Sequence, residues 1–189
     1  MSRLPSTIAT LLLLAGCAGG LQPTVIDTAR VQPGQLGGSL LDTDVSAVQQ
    51  AQWAFASPGR TLDRPVEAAR AAASMDYIAG ELNSSPRWSR ISALTQMQLL
   101  QGRAEVRQAL SIRADASSQA VVDNLSGVAN ALAAGNQPAA LAALSAPIYT
   151  APAPVVLATL NRLPYLQMAN VSTMRAANQL FPSESSSWR

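Results

Sequence analysis

Alanine occupies 35 of the 189 positions while aromatic side chains make up only 4% of the chain, and that combination narrows the available folds more than any other feature. Alanine is the strongest helix former and loses no side-chain entropy on folding, whereas sheets are built from β-branched and aromatic residues. A core with so little side-chain volume must draw its backbones close together. The expectation is all-α: a compact bundle of about five to seven short alanine-rich helices behind a flexible N-terminal tether. A length of 189 residues suits one domain with a tail.

Missing residue types restrict the chemistry. Histidine is absent, all 13 basic residues are arginine, and there is a single cysteine. A Ser-His-Asp or Cys-His machine, a histidine-ligated metal, a Schiff-base lysine and a P-loop lysine are therefore impossible within the chain. A net charge of +2 is too small for the electrostatic footprint of a nucleic-acid binder. The expectations are no metal, no dissociable cofactor and no nucleic-acid partner.

The beginning of the chain has its own organisation. Arg3 supplies a short positive region, Ile8 to Leu14 form an apolar stretch too short to span a bilayer, and Leu14-Ala15-Gly16-Cys17 follows. These four residues resemble, position for position, the lipobox of bacterial lipoproteins. The resemblance covers the leader only. It implies cleavage of residues 1–16 as a signal peptide, diacylglyceryl transfer to the Cys17 sulfur and acylation (palmitate-type chains) of the new amino terminus. A thiol is needed because thioether formation requires a strong nucleophile, and small neighbours admit the peptidase. Ordinary secretion, with Ala15 and Cys17 as small residues before a cut, is the plainer alternative. Several acyl chains hold far more firmly than one, at about 0.8 kcal/mol per buried CH₂. In Gram-negative members of the class an aspartate after the cysteine retains the protein at the inner membrane. Ala18 and Gly19 stand there instead, so the resemblance implies the periplasmic face of the outer membrane.

Residues 17–42 carry five glycines and two prolines without an apolar period, the composition of a tether. The apolar island Thr24-Val25-Ile26 reads first as a locally sticky piece of linker, with docking on the domain or on a partner as a strand-like segment the alternative. The helical domain is expected over 43–181, followed by a polar, disordered tail over 182–189 that ends in Trp188-Arg189.

Helical signals begin at Asp44, read as a cap for a helix ending at Phe55. Trp53 and Phe55 are two positions apart, about 200° around a helix, so they cannot face the same core; a sandwiched helix that buries both sides is favoured over presentation of Trp53 to a partner. The second helix is expected from Asp63 to about Leu82, with Ala68, Ala71, Met75, Ile78 and Leu82 as its stripe. A third is expected from Arg87 to Ile112, with Ile91, Leu94, Met97, Leu100, Ala104 and Leu110 inward and a bend at Gly102. The fourth, Ser117 to Ala134, has the cleanest period: Val121, Leu125, Val128 and Leu132, closed by Gly135-Asn136. A short fifth helix follows Asn136, then an extended crossover through three prolines. A sixth helix is expected over Val155 to Arg162, and a last one over Tyr165 to Phe181, with Leu166, Ala169, Met174, Ala177 and Leu180 as its core positions.

Residues 61–85 hold four acidic side chains against two arginines, and residues 86–113 hold five arginines against one glutamate. Helices two and three should therefore pair as an antiparallel hairpin with opposite charges across its edges. Paired carboxylates for acid–base catalysis are not evident: Asp76 and Glu81 lie about 140° apart on a helix, and Asp115 and Asp123 read as surface or capping residues. The functional expectation is a non-catalytic, membrane-anchored interaction, scaffold or assembly subunit whose partner is another envelope protein. Trp53 and Trp88, with Arg87 and Arg90 flanking the latter, are the candidate partner-binding residues. A carboxylate-dependent cell-wall enzyme and a helical carrier of a small apolar ligand are the alternatives.

Overall fold

A computed structural model describes residues 26–37 and 42–181. The described residues form an all-α fold of seven helices: α1 (Thr43–Phe55), α2 (Pro65–Ser84), α3 (Ala93–Ala109), α4 (Ser118–Ala133), α5 (Gln137–Ala143), α6 (Ala153–Asn161) and α7 (Gln167–Leu180). Single 3₁₀ turns at Pro58–Arg60 and Pro86–Trp88 precede α2 and α3. The only β-type pairing among the described residues is an isolated antiparallel bridge between Ile112 and Tyr149.

The centre of the bundle is α2. It packs against α1, α3, α4 and α6, and every residue from Ala71 to Gly80 is buried. The sequence assigned α2 an inward stripe, but a helix with neighbours on all sides has no outward face along that stretch. Alanine makes this arrangement possible, because a methyl group on each side lets four helices approach one. Larger side chains fill what remains: Met75, Ile78 and Leu82 from α2 meet Leu99, Leu110, Leu125, Leu144 and Leu160, all fully buried.

Helices α2 and α3 form the expected antiparallel hairpin. Asn83 donates to the Gln96 carbonyl and Gln96 to the Leu82 carbonyl near its turn, while Asp76 meets Arg107 farther along. The charge pattern acts differently from expectation. Among the described residues Asp76–Arg107 is the only ion pair between the two helices, and it is buried rather than at an edge. Helix α7 runs antiparallel to α3, tied by Gln179 to Ser92, Arg175 to Gln98 and the Ala169 amide to Glu105.

Several element boundaries and core positions differ from the sequence reading. Asp42, not Asp44, caps α1 by accepting from the Val45 amide. Asp63 adopts a left-handed conformation (φ 56°) before α2, which starts at Pro65. Helix α3 begins only after the Ser92 cap, so Arg87, Trp88 and Arg90 lie outside it. Its inward stripe is Thr95, Leu99, Gly102 and Val106; Leu94 and Met97 are each 51% exposed. Met174 on α7 is likewise exposed. Gly102 serves close packing: a Cβ there would meet Met75, Ser172 and the backbone of Ala169. Helix α4 matches its expectation closely, with Ser117 as cap and Gly135 (φ 69°) beyond its end.

The described part of the glycine-rich segment, residues 26–37, is a strap on the helices rather than a free tether. Ala29 and Leu36 are buried, and the Asp27 carboxylate accepts from the Ser118 amide at the start of α4. Farther along, the Arg30 backbone amide and carbonyl bond Gln119, and Gln35 donates to Asp123. The strap passes so close to α2 that a Cβ on Gly80 would lie 2.7 Å from the Asp27 carbonyl oxygen.

Gly80→Val is therefore expected to destabilise the domain by about 1–3 kcal/mol and to speed hydrogen exchange of the Arg30 and Ser118 amides. Gly59→Ala, where a Cβ would meet nothing within 4 Å, is the control and should leave both unchanged. Equal exchange in the two variants would show that the strap is not pinned at Gly80.

Candidate interaction site

An open groove of about 870 Å³ lies where α1 meets the entry to α2. Helix α1 contributes Ser46, Gln49, Gln50 and Trp53, which recur at helical spacing and so share one face. The turn into α2 contributes Asp63, Arg64, Pro65, Val66 and Glu67, and Gly37 closes the strap side. Trp53 is half-buried against the core, with the Arg60 guanidinium 5.7 Å from its ring centroid. Phe55, two positions on, is buried, so the two rings divide between core and groove. Sequence reasoning found Trp53 but missed Gln49 and Gln50, whose spacing from it was the available signal.

Trp88 has a different environment, at the opposite end of α1. Its indole Nε1 donates to Asp44 at 2.9 Å, and Arg87 donates to the same carboxylate oxygen at 3.1 Å. The Tyr77 hydroxyl donates to the other oxygen of Asp44. Arg87 also stacks on the Trp88 ring at 4.4 Å and pairs with Asp42. Arg90 lines a smaller hollow with Ile91 and Leu180 beside them. Asp44, expected as a cap, is thus a buried acceptor that joins α1, α2 and the turn before α3. A buried carboxylate needs such donors, since an unpaired one is costly.

The electrostatics follow from these contacts. Burial raises the Tyr77 pKa, helped by the hydrogen bond to Asp44 and its charge, so the phenol stays a donor. For Asp42 burial opposes ionisation, but the hydrogen bond from Arg87, the Val45 amide and the Arg87 charge together hold the carboxyl below its ordinary range.

Three of the four acids considered for catalysis are engaged elsewhere. Asp76 is bidentate with Arg107, Asp115 pairs with Arg113, and Asp123 accepts from Gln35 and Gln119. Among the described residues no cluster of three or more potential metal ligands occurs, and no helix is long and apolar enough to cross a membrane. Leu14, Ala15, Gly16 and Cys17 lie outside the described residues, as does the tail from 182.

The Asp42–Arg87 pair sets an expected acid response. Asp42 has a depressed folded-state pKa, so its contribution is present above the unfolded value of about 4 and is lost as pH falls through the folded one. Arg87 is 53% exposed, which limits the pair to about 1 kcal/mol or less. Melting curves between neutral pH and pH ~2.5 should show a smaller acid-induced drop for Arg87→Gln than for the parent. Identical drops would remove the pair from the account.

No protein-family model matches the chain, and neither a curated protein nor a solved structure matches it.

Proposed function

We propose that this chain is a lipid-anchored protein of the cell envelope, held at the periplasmic face of the outer membrane through Cys17, and that its helical domain acts as a non-catalytic scaffold for another envelope protein. The observation that carries the scaffold reading is the Trp53 groove. Its lining offers an aromatic ring, Pro65 and Val66 for one apolar anchor, and the Gln49 and Gln50 amides for an extended backbone. Interfaces of this kind concentrate their energy in a buried aromatic anchor surrounded by polar groups. Trp88, Arg87 and Arg90 contribute less to this reading, because Trp88 and Arg87 are bound to Asp44. Anchoring both proteins in one envelope raises their effective concentration without any new contact.

Two measurements test the two halves. Cys17→Ser should abolish fatty acylation of the mature protein and move it into the soluble periplasmic fraction. An unmodified amino terminus in the parent protein overturns the anchor. A photoreactive residue at Gln49 should yield a defined adduct with one envelope protein, lost in Trp53→Ala, whereas one at exposed Asn178 on α7 should yield none. Adducts insensitive to Trp53→Ala would remove the groove from the interface.

One observation favours a second reading, the carboxylate-dependent cell-wall enzyme. Asp63 and Glu67 line the same groove as Trp53, an aromatic platform of the type that stacks on sugar rings. On this reading the purified protein releases fragments from peptidoglycan, and Asp63→Asn or Glu67→Gln reduces release by about a hundredfold or more. Intact sacculi after incubation with the parent protein would discard it.

A further inference from the structure

A second cleft, of about 530 Å³, opens between the C-terminal half of α3 and the Ile112–Tyr149 bridge. Its volume is in the range of small-molecule sites, about 300–1,000 Å³. Two arginines one helical turn apart, Arg103 and Arg107, form one wall, no carboxylate lines it, and Leu100, Ile112 and Ala114 supply apolar surface. The two arginines have unequal partners. Arg107 uses its Nε–Nη2 edge on Asp76, at 2.7 and 2.8 Å, and its Nη1 on the Ala114 and Ala116 carbonyls. Its charge is neutralised inside the fold.

Arg103 is anchored through Nη1 alone, to the Asp27 carbonyl and the Ser118 hydroxyl at 3.0 Å each. It makes no ion pair among the described residues, and its Nε and Nη2 have no partner there. The edge left open is the same fork that, in Arg107, takes Asp76 in parallel. Burial lowers the Arg103 pKa and the Arg107 charge adds to this, while the charges of Asp76 and Asp27 pull the other way. On the far side of the cleft Ser111 is held in a left-handed conformation (φ 56°), with its carbonyl accepting from the amide and hydroxyl of Thr150.

We propose that this cleft binds a small organic carboxylate, which occupies the open Nε–Nη2 edge of Arg103 and rests its apolar body on Leu100 and Ile112. Bidentate guanidinium–carboxylate pairing supplies both strength and orientation. The apolar wall selects against fully hydrated inorganic anions. The strap contributes by fixing Arg103 through the Asp27 carbonyl, so the site depends on residues 26–37 being in place.

The test uses the full-length ¹⁵N-labelled protein in detergent micelles, titrated separately with 4-phenylbutanoate, its neutral isostere 4-phenylbutanamide, and inorganic phosphate. The carboxylate should give saturable shifts of the Arg103 Nε–H and the Ser111 amide, with the neutral amide about tenfold weaker or worse. Arg103→Gln should reduce the carboxylate to the level of the amide. Ala104→Trp, on the exposed wall of the cleft, should abolish the shifts with the melting temperature unchanged, which keeps the test valid should Arg103→Gln loosen the strap. Absence of saturable shifts, equal affinity for acid and amide, or unaltered binding in Ala104→Trp would overturn the site. Saturation by phosphate without the carboxylate would overturn the ligand class.

Discussion

Close approach of helices to α2 is the constraint from which the rest of the structure follows. A helix buried along ten consecutive residues needs small side chains on every face, and the Ala71-Ala72-Ala73 run, Ser74, Ala79 and Gly80 supply them. Small side chains bury little area each, so the gain comes from the number of backbones brought into dispersion contact rather than from large apolar groups. Glycines occur where even a methyl group is too much: Gly80 beneath the strap and Gly102 where α3 meets α7 and Met75.

Polar groups then determine the register of surfaces that are otherwise smooth. Asp76 sits in the most enclosed part of α2 and is matched by Arg107 with two short hydrogen bonds. Breaking such a pair from one side typically costs about 3–5 kcal/mol, although the pair adds little net stability over apolar residues of equal volume. Its value lies in specificity, because alanine-lined helices slide easily and a buried ion pair has one permitted alignment. Ser118 and the Ala116 carbonyl extend the same cluster to α4, and Arg103 extends it to the strap. Asp44 plays the corresponding part at the other end of the bundle, with donors from Tyr77, Arg87 and Trp88.

The two surface concavities lie where this packing ends. The Trp53 groove opens where α1 and α2 separate around the turn at 56–64, and the Arg103 cleft opens where α3 gives way to the bridge at Ile112. Each combines apolar walls with a few polar groups, yet they differ in charge. The groove mixes acids with Arg64, and the cleft carries arginine without a lining carboxylate.

Local signals in the sequence were legible wherever structure is local. The period of Val121, Leu125 and Val128 between the Ser117 cap and Gly135 specifies α4 without reference to anything else, and alanine content with scarce aromatic residues specifies an all-α class. Trp53 was visible as a residue displaced from the Phe55 face. The inward face of α3 was not visible, because Thr95 and Gly102 on it carry no apolar signal, while the exposed Leu94 and Met97 do. Glycine and proline in residues 26–37 describe turns, with Gly34 and Gly37 at positive φ, and say nothing of attachment. Composition and spacing thus determined the all-α class and the absence of histidine and lysine chemistry. The partners of Asp44, Asp76 and Arg103, the docking of the strap and both concavities were decided by the tertiary structure. Most of them depend on groups separated by 31 to 91 positions in the chain, and no local periodicity encodes which of them meet.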